Sequence, residues 1–144
     1  VTEASITLVV RRTIRATPER IFAAWTTPAQ LVQWWGPSDV SCPSAEVDLR
    51  VGGRYRLANR TPDGTTVYIS GEFVRVTPPR ELVYTWTLEP ASGPAEQVTV
   101  RFEPVEGGTE VVVIHERIGS EPARDSHEHG WNGCLDGLAA LLSG

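Results

Sequence analysis

The stretch TPERIFAAWTTPAQLVQWWGP, residues 17–37, decides how the rest of the chain must be read. Thr17-Pro18 offers a side-chain N-cap and a proline at the first helical position, where its missing N–H costs nothing. Glu19 stands in the first turn, and Ile21, Phe22, Ala24 and Trp25 supply an apolar face. Thr27-Pro28-Ala29-Gln30 repeats the signal in capping-box form, Leu31, Trp34 and Trp35 continue the stripe, and Gly36-Pro37 stops it. Two short helices in tandem are predicted.

Upstream, Ile6, Leu8, Val10 and Ile14 share one parity, and Thr7, Arg11, Thr13 and Arg15 fall largely on the other. That alternation reads as a half-buried strand. Beyond Pro43 the chain is β-like for about eighty residues. Its turns are marked by Gly52-Gly53, Pro62-Asp63-Gly64, Pro78-Pro79, Ala91-Ser92-Gly93-Pro94 and Gly107-Gly108. Six further antiparallel strands are predicted near 45–51, 54–60, 66–76, 81–89, 96–104 and 109–117. Trp131, Leu135, Leu138 and Leu142 then recur at i, i+4, i+7 and i+11, an amphipathic terminal helix starting near Asp125-Ser126.

A β-αα-β6-α order predicts an α+β fold: a twisted seven-stranded antiparallel sheet whose concave apolar face is covered by the terminal helix, the only one long enough. Where that helix stands off the sheet, an elongated apolar cavity opens near the short helices and the turns, the shape of a small-molecule site.

Composition narrows the function. The chain has 144 residues, enough for a single domain over 1–144 with its own core, and 40% of them are hydrophobic. Thirteen basic residues stand against eighteen acidic ones, for a net charge of -5. No basic face gathers, so neither nucleic acid nor an anionic membrane surface is an expected partner. Every basic residue is arginine, which excludes lysine Schiff-base chemistry and a P-loop lysine. Cys42 and Cys134 form no CxxC pair and read as inert thiols. With no secretory leader or membrane-length apolar run, the expected compartment is the cytoplasm. The valine at position 1 suggests a trimmed start.

The stretch 17–37, with EVDLRVGGRY (46–55), PPRELVYTW (78–86), Gly108-Thr109-Glu110, His115, and His127, Gly130 and Trp131 ahead of Leu135-Asp136, resembles a known family. It is similar to the activator-of-heat-shock-protein-ATPase-like (Hsp90 activator, C-terminal-domain type) branch of the START/polyketide-cyclase (SRPBCC, Bet v 1-like) superfamily. The resemblance implies the helix-grip fold and, across the superfamily, hydrophobic-ligand carriers, aromatase/cyclases and hormone receptors. Fold by itself does not choose among them. Relatives that stimulate a chaperone ATPase carry a second, N-terminal domain, for which these 144 residues have no room.

His115 shares parity with Val111 and Val113 and faces the cavity. It reads either as a general base in an apolar pocket or as a core histidine bonded to backbone or a carboxylate. Glu72, beside Gly71, is the preferred inward acid, although Glu46, Asp48, Arg50, Glu72, Arg75 and Arg101 are also explained by cross-strand pairs on the outer face. His127-Glu128-His129 puts its imidazoles on different helix faces, so no metal site is expected there; His127 caps or closes the cavity mouth. Trp35, Tyr55, Tyr68, Trp86, Phe102, His115 and Trp131 are the expected ligand contacts. No GxSxG elbow, phosphate loop or zinc-ligand spacing occurs, and no cofactor is expected.

The expected function is binding of a small hydrophobic, aromatic or polyketide-like molecule between sheet and terminal helix, by a monomer or homodimer. Two alternatives stay open. One is a cyclase or dehydratase using His115 and Glu72 in the same cavity. The other is a co-chaperone-like protein-interaction module, whose sign would be exposed Trp34 and Trp35.

Overall fold

The computed structural model describes residues 6–36, 39–89 and 95–143. In chain order the elements are β1 (Ile6–Ile14), α1 (Pro18–Thr26), α2 (Pro28–Trp34), β2 (Ala45–Val47), β3 (Arg54–Arg60), β4 (Thr66–Thr77), β5 (Glu81–Glu89), β6 (Glu96–Val105), β7 (Gly108–Ile118) and α3 (Glu121–Ser143). The seven strands make one antiparallel sheet ordered β1-β7-β6-β5-β4-β3-β2. This is the α+β helix-grip arrangement. β1 and β2 lie on opposite edges, so the α1–α2 segment has to carry the chain across the sheet.

Alternation along the strands builds the concave face. Leu8 on β1, Val98, Val100 and Phe102 on β6, and Val111 and Val113 on β7 are fully buried. Leu135 and Leu138 of α3 are sealed against them. Each such large apolar side chain stabilises the fold by roughly 1.5–3 kcal/mol. α3 lies over β1 and β7 and against α2, which leaves it standing off β3, β4 and β5. The open space of the molecule is set by that offset.

Local chemistry fixes the helix ends. Thr17 Oγ1 accepts the Arg20 backbone N–H at 3.1 Å, as its N-cap position predicts. Thr27 makes no side-chain cap for α2, against the capping-box expectation. Its backbone N–H is already spent closing α1 on Ala23 O, and Gln30 takes the Arg20 guanidinium instead of reaching back.

Two other expectations are corrected. The strand predicted over 45–51 stops at Val47, because residues 48–53 fold into a turn in which Asp48 holds Arg50 at 2.9 Å and Gly53 N–H donates to Arg50 O. The terminal helix starts a turn earlier than Asp125. Ser120 Oγ accepts the Ala123 N–H at 3.2 Å, and Pro122 occupies the first turn, where proline is tolerated. Pro37 and the turn at Ala91-Ser92-Gly93-Pro94 lie outside the described residues. Among the described residues, no helix is long and apolar enough to cross a membrane.

Candidate functional site

A cavity of about 220 Å³ opens where α3 stands off the sheet, bounded by Trp35, Ile69, Trp86 and Leu88 on one side and His127, Gly130 and Trp131 on the other. It shares Trp35, Ile69 and Trp86 with a tight inner pocket of about 20 Å³. That inner end is filled by rings: Tyr55 meets Tyr84 at 5.0 Å and Phe73 at 5.6 Å, and Trp25 donates to Tyr84 Oη at 3.4 Å. Aromatic side chains fill that inner end, so most of the open space expected from the sequence lies beside α3. Burial pushes the Tyr55 and Tyr84 hydroxyls up, so both stay protonated. A larger groove of about 650 Å³ between α2, residues 40–43 and α3 is lined by exposed His129 and by Asp136, which Arg12 holds at 2.7 Å.

One wall of the cavity carries a polar chain. Trp131 Nε1 donates to His115 Nδ1 at 3.0 Å, His115 Nε2 meets Glu96 Oε1 at 2.6 Å, and His127 Nε2 meets the same oxygen at 3.0 Å. The two imidazoles stack at 4.4 Å and 14°, with the Trp86 ring edge-on to both at about 5 Å. The strand register explains the meeting. His115 is opposite Val98, and Glu96 lies two residues along β6 on the same face; His127 reaches in from α3, one turn before Trp131.

Hydrogen-bond direction follows from Trp131, whose indole nitrogen can only donate. His115 Nδ1 must accept, so the neutral ring carries its proton on Nε2 and gives it to Glu96. His115 is fully buried, and its pKa is held down to about 3, first by burial and then by the neighbouring His127. Burial raises Glu96, while His127 opposes the rise.

Both nitrogens of His115 are thus engaged within the protein. The geometry makes it a core histidine bonded to a carboxylate and leaves it no lone pair for a ligand. Glu96, His115 and His127 could in principle supply metal ligands, since their donor atoms lie within 4.8 Å of one another. A metal on His115 Nε2 would put the proton on Nδ1, facing the Trp131 N–H donor to donor. The residues present do not fit a metal.

Of the expected contacts, Trp35, Trp86 and Trp131 line the cavity, Tyr55 lines the inner pocket, and His115 stands behind the wall. Phe102 points inward but is core, edge-on to Phe22 at 5.7 Å and Trp25 at 5.8 Å. Tyr68 lies on the outer face with the Arg56 guanidinium 3.7 Å above its ring, because its parity is opposite to that of Ile69. Glu72 is exposed on that face for the same reason, and the inward acid is Glu96. The outer-face pairs exist with a different acid at their centre: Glu81 takes Arg75 at 3.1 Å and Arg101 at 3.2 Å.

Sequence reasoning passed over Glu96, Trp25 and Asn59. Glu96 was legible in the parity it shares with Val98, Val100 and Phe102. Trp25 stacks on Trp131 at 6.0 Å and 19°. Asn59 Oδ1 and Trp35 Nε1, both on cavity-lining residues, are sealed and have no hydrogen-bond partner among the described residues. Trp34 and Trp35 are buried, so the exposed tryptophans of an interaction module are not found.

Among curated proteins, none matches this chain. Solved structures do. A crystal structure of a Chromobacterium violaceum protein shares 27% identity at a TM-score of 0.88, covering 96% of this chain and 97% of that one. The AHSA1 protein from Silicibacter pomeroyi shares 28% at 0.86, covering 96% and 98%. The solution structure of an AHSA1-like protein from Aeromonas hydrophila shares 26% at 0.78, covering 96% and 92%. The sequence pattern of one family accounts for residues 15–143, nearly the whole of the fold described above, and this chain belongs to that family, the Activator of Hsp90 ATPase homolog 1-like proteins.

Proposed function

We propose that the protein binds a small hydrophobic molecule, aromatic in character, between β3–β5 and α3. The observation that carries this reading is Gly130. It sits inside a long helix, where glycine costs up to about 1 kcal/mol relative to alanine, yet a Cβ built there meets nothing within 4 Å. No neighbour demands the missing methyl, and the space it leaves belongs to the cavity.

Size and lining agree with this reading. A 150 Å³ apolar cavity is known to hold one benzene ring, so about 220 Å³ suits one to two fused rings. Trp35, Trp86 and Trp131 offer aromatic surface to such a flat ligand.

The test is tryptophan-fluorescence titration with a bicyclic aromatic ketone such as 1-tetralone, alongside native mass spectrometry of freshly purified protein. Saturable micromolar quenching in the wild type, weakened at least tenfold by Gly130→Val, is the expected result. Absence of saturable quenching, with no co-purified small molecule, would overturn the reading.

A further inference from the structure

Resting on that binding reading, we propose that His127 is the hydrogen-bond acceptor of the cavity and that the ligand it selects is a neutral aromatic compound bearing a hydroxyl group. The direction of every bond behind His127 is set from the far end. Trp131 N–H donates to His115, and His115 Nε2–H donates to Glu96 Oε1. An ionised carboxylate can only accept, so His127 also gives Oε1 its Nε2 proton, at 3.0 Å. With one ring proton, on Nε2, His127 has its lone pair on Nδ1.

Among the described residues that nitrogen has no hydrogen-bond partner, and it is not one of the sealed, unpartnered polar atoms. His127 lines the cavity, and its ring is fixed by stacking on His115 and by the edge of Trp86. An oriented, open acceptor in an aromatic cavity calls for a proton donor on the ligand.

That acceptor narrows the ligand class. A hydroxyl donates its proton to His127 Nδ1; a ketone or ether offers only an acceptor, and a hydrocarbon neither. Covering the Nδ1 acceptor with a ligand that cannot donate costs free energy that a hydroxyl recovers. A carboxylate ligand is disfavoured, because Glu96 lies directly behind His127 and, among the described residues, no arginine lines the cavity.

The test is calorimetric titration at neutral pH with 2-naphthol, 2-methoxynaphthalene and naphthalene. The naphthol is expected to bind about tenfold more tightly than its methyl ether, the worth of one hydrogen bond. His127→Gln keeps an amide N–H for Glu96 but removes the Nδ1 acceptor, and should reduce that ratio to about one. His127→Asn, whose carbonyl falls near the Nδ1 position, should keep it. A purely structural role for His127 would move both variants alike. Equal wild-type affinity for naphthol and ether, or a preference that survives His127→Gln, overturns the proposal while leaving the cavity intact. Failure of all three compounds to bind strikes the binding reading itself and takes this one with it.

Discussion

Trp131 Nε1 stands 3.0 Å from His115 Nδ1 and donates to it, across sixteen residues of sequence and from helix to sheet. This one bond orders the site. An indole that can only donate sets the His115 tautomer, and the tautomer sets what His115 offers to Glu96 and, through Glu96, what remains free on His127. It also removes His115 from the set of groups that could act on a ligand or hold a metal.

The tautomer is directly observable. Long-range proton–nitrogen correlation spectra should show His115 protonated on Nε2 and bare on Nδ1 at neutral pH. Trp131→Phe should free Nδ1 and destabilise the fold by about 1–3 kcal/mol, by leaving a buried acceptor unpaired. Zinc titrated into the wild type should give no specific binding isotherm, since His115 cannot offer Nε2 while Trp131 faces Nδ1. A stoichiometric zinc site in the wild type would contradict this account of the wall.

Stability should fall on acidification. In the unfolded chain His115 takes up a proton below its ordinary pKa of about 6.5, whereas in the folded protein it resists until about 3. Between those values the unfolded state binds more protons, so stability rises with pH, by up to about 1.4 kcal/mol per pH unit from this group. Glu96 acts in the opposite sense. Its folded pKa is raised, so its contribution declines as pH climbs through the unfolded carboxylate value towards the folded one. Urea unfolding at pH 7, 6, 5 and 4 should show the acid loss in the wild type and a clearly shallower slope in His115→Gln.

Two carboxylates offer a contrast in context. Glu96→Ala strands the buried His115 Nε2–H and should cost about 1–3 kcal/mol. Glu81→Ala breaks two ion pairs, with Arg75 and Arg101, whose side chains are at least half exposed, and should cost under about 1 kcal/mol. Denaturant midpoints of the two variants check the ranking.

Two glycines of α3 should respond with opposite signs. Gly130→Ala places its methyl in open space and should raise the melting temperature, by up to about 1 kcal/mol of helix propensity, while weakening ligand binding. Gly137→Ala drives a Cβ to 2.6 Å from the Trp34 carbonyl oxygen and should destabilise, because the helices must separate. Thermal unfolding with and without 1-tetralone separates the two effects.

The architecture is legible in local sequence signals. Capping at Thr17-Pro18, period-2 alternation along the strands and the Trp131-Leu135-Leu138 stripe are local signals, and the β-αα-β6-α order leaves few ways to cover one apolar face. His115 was legible as inward for the same reason. Parity errors account for Tyr68 and Glu72, each one residue away from an inward-facing neighbour, Ile69 in one case and Phe73 in the other. The meeting of distant side chains arises in the folded molecule alone: Glu96 between two imidazoles, Trp131 behind one of them, and the offset of α3 that leaves a cavity beside His127. Those relations depend on where the helix rests on the twisted sheet and which rotamers close the gap. Sequence periodicity encodes the face a residue turns to, but not the partner it finds across the core.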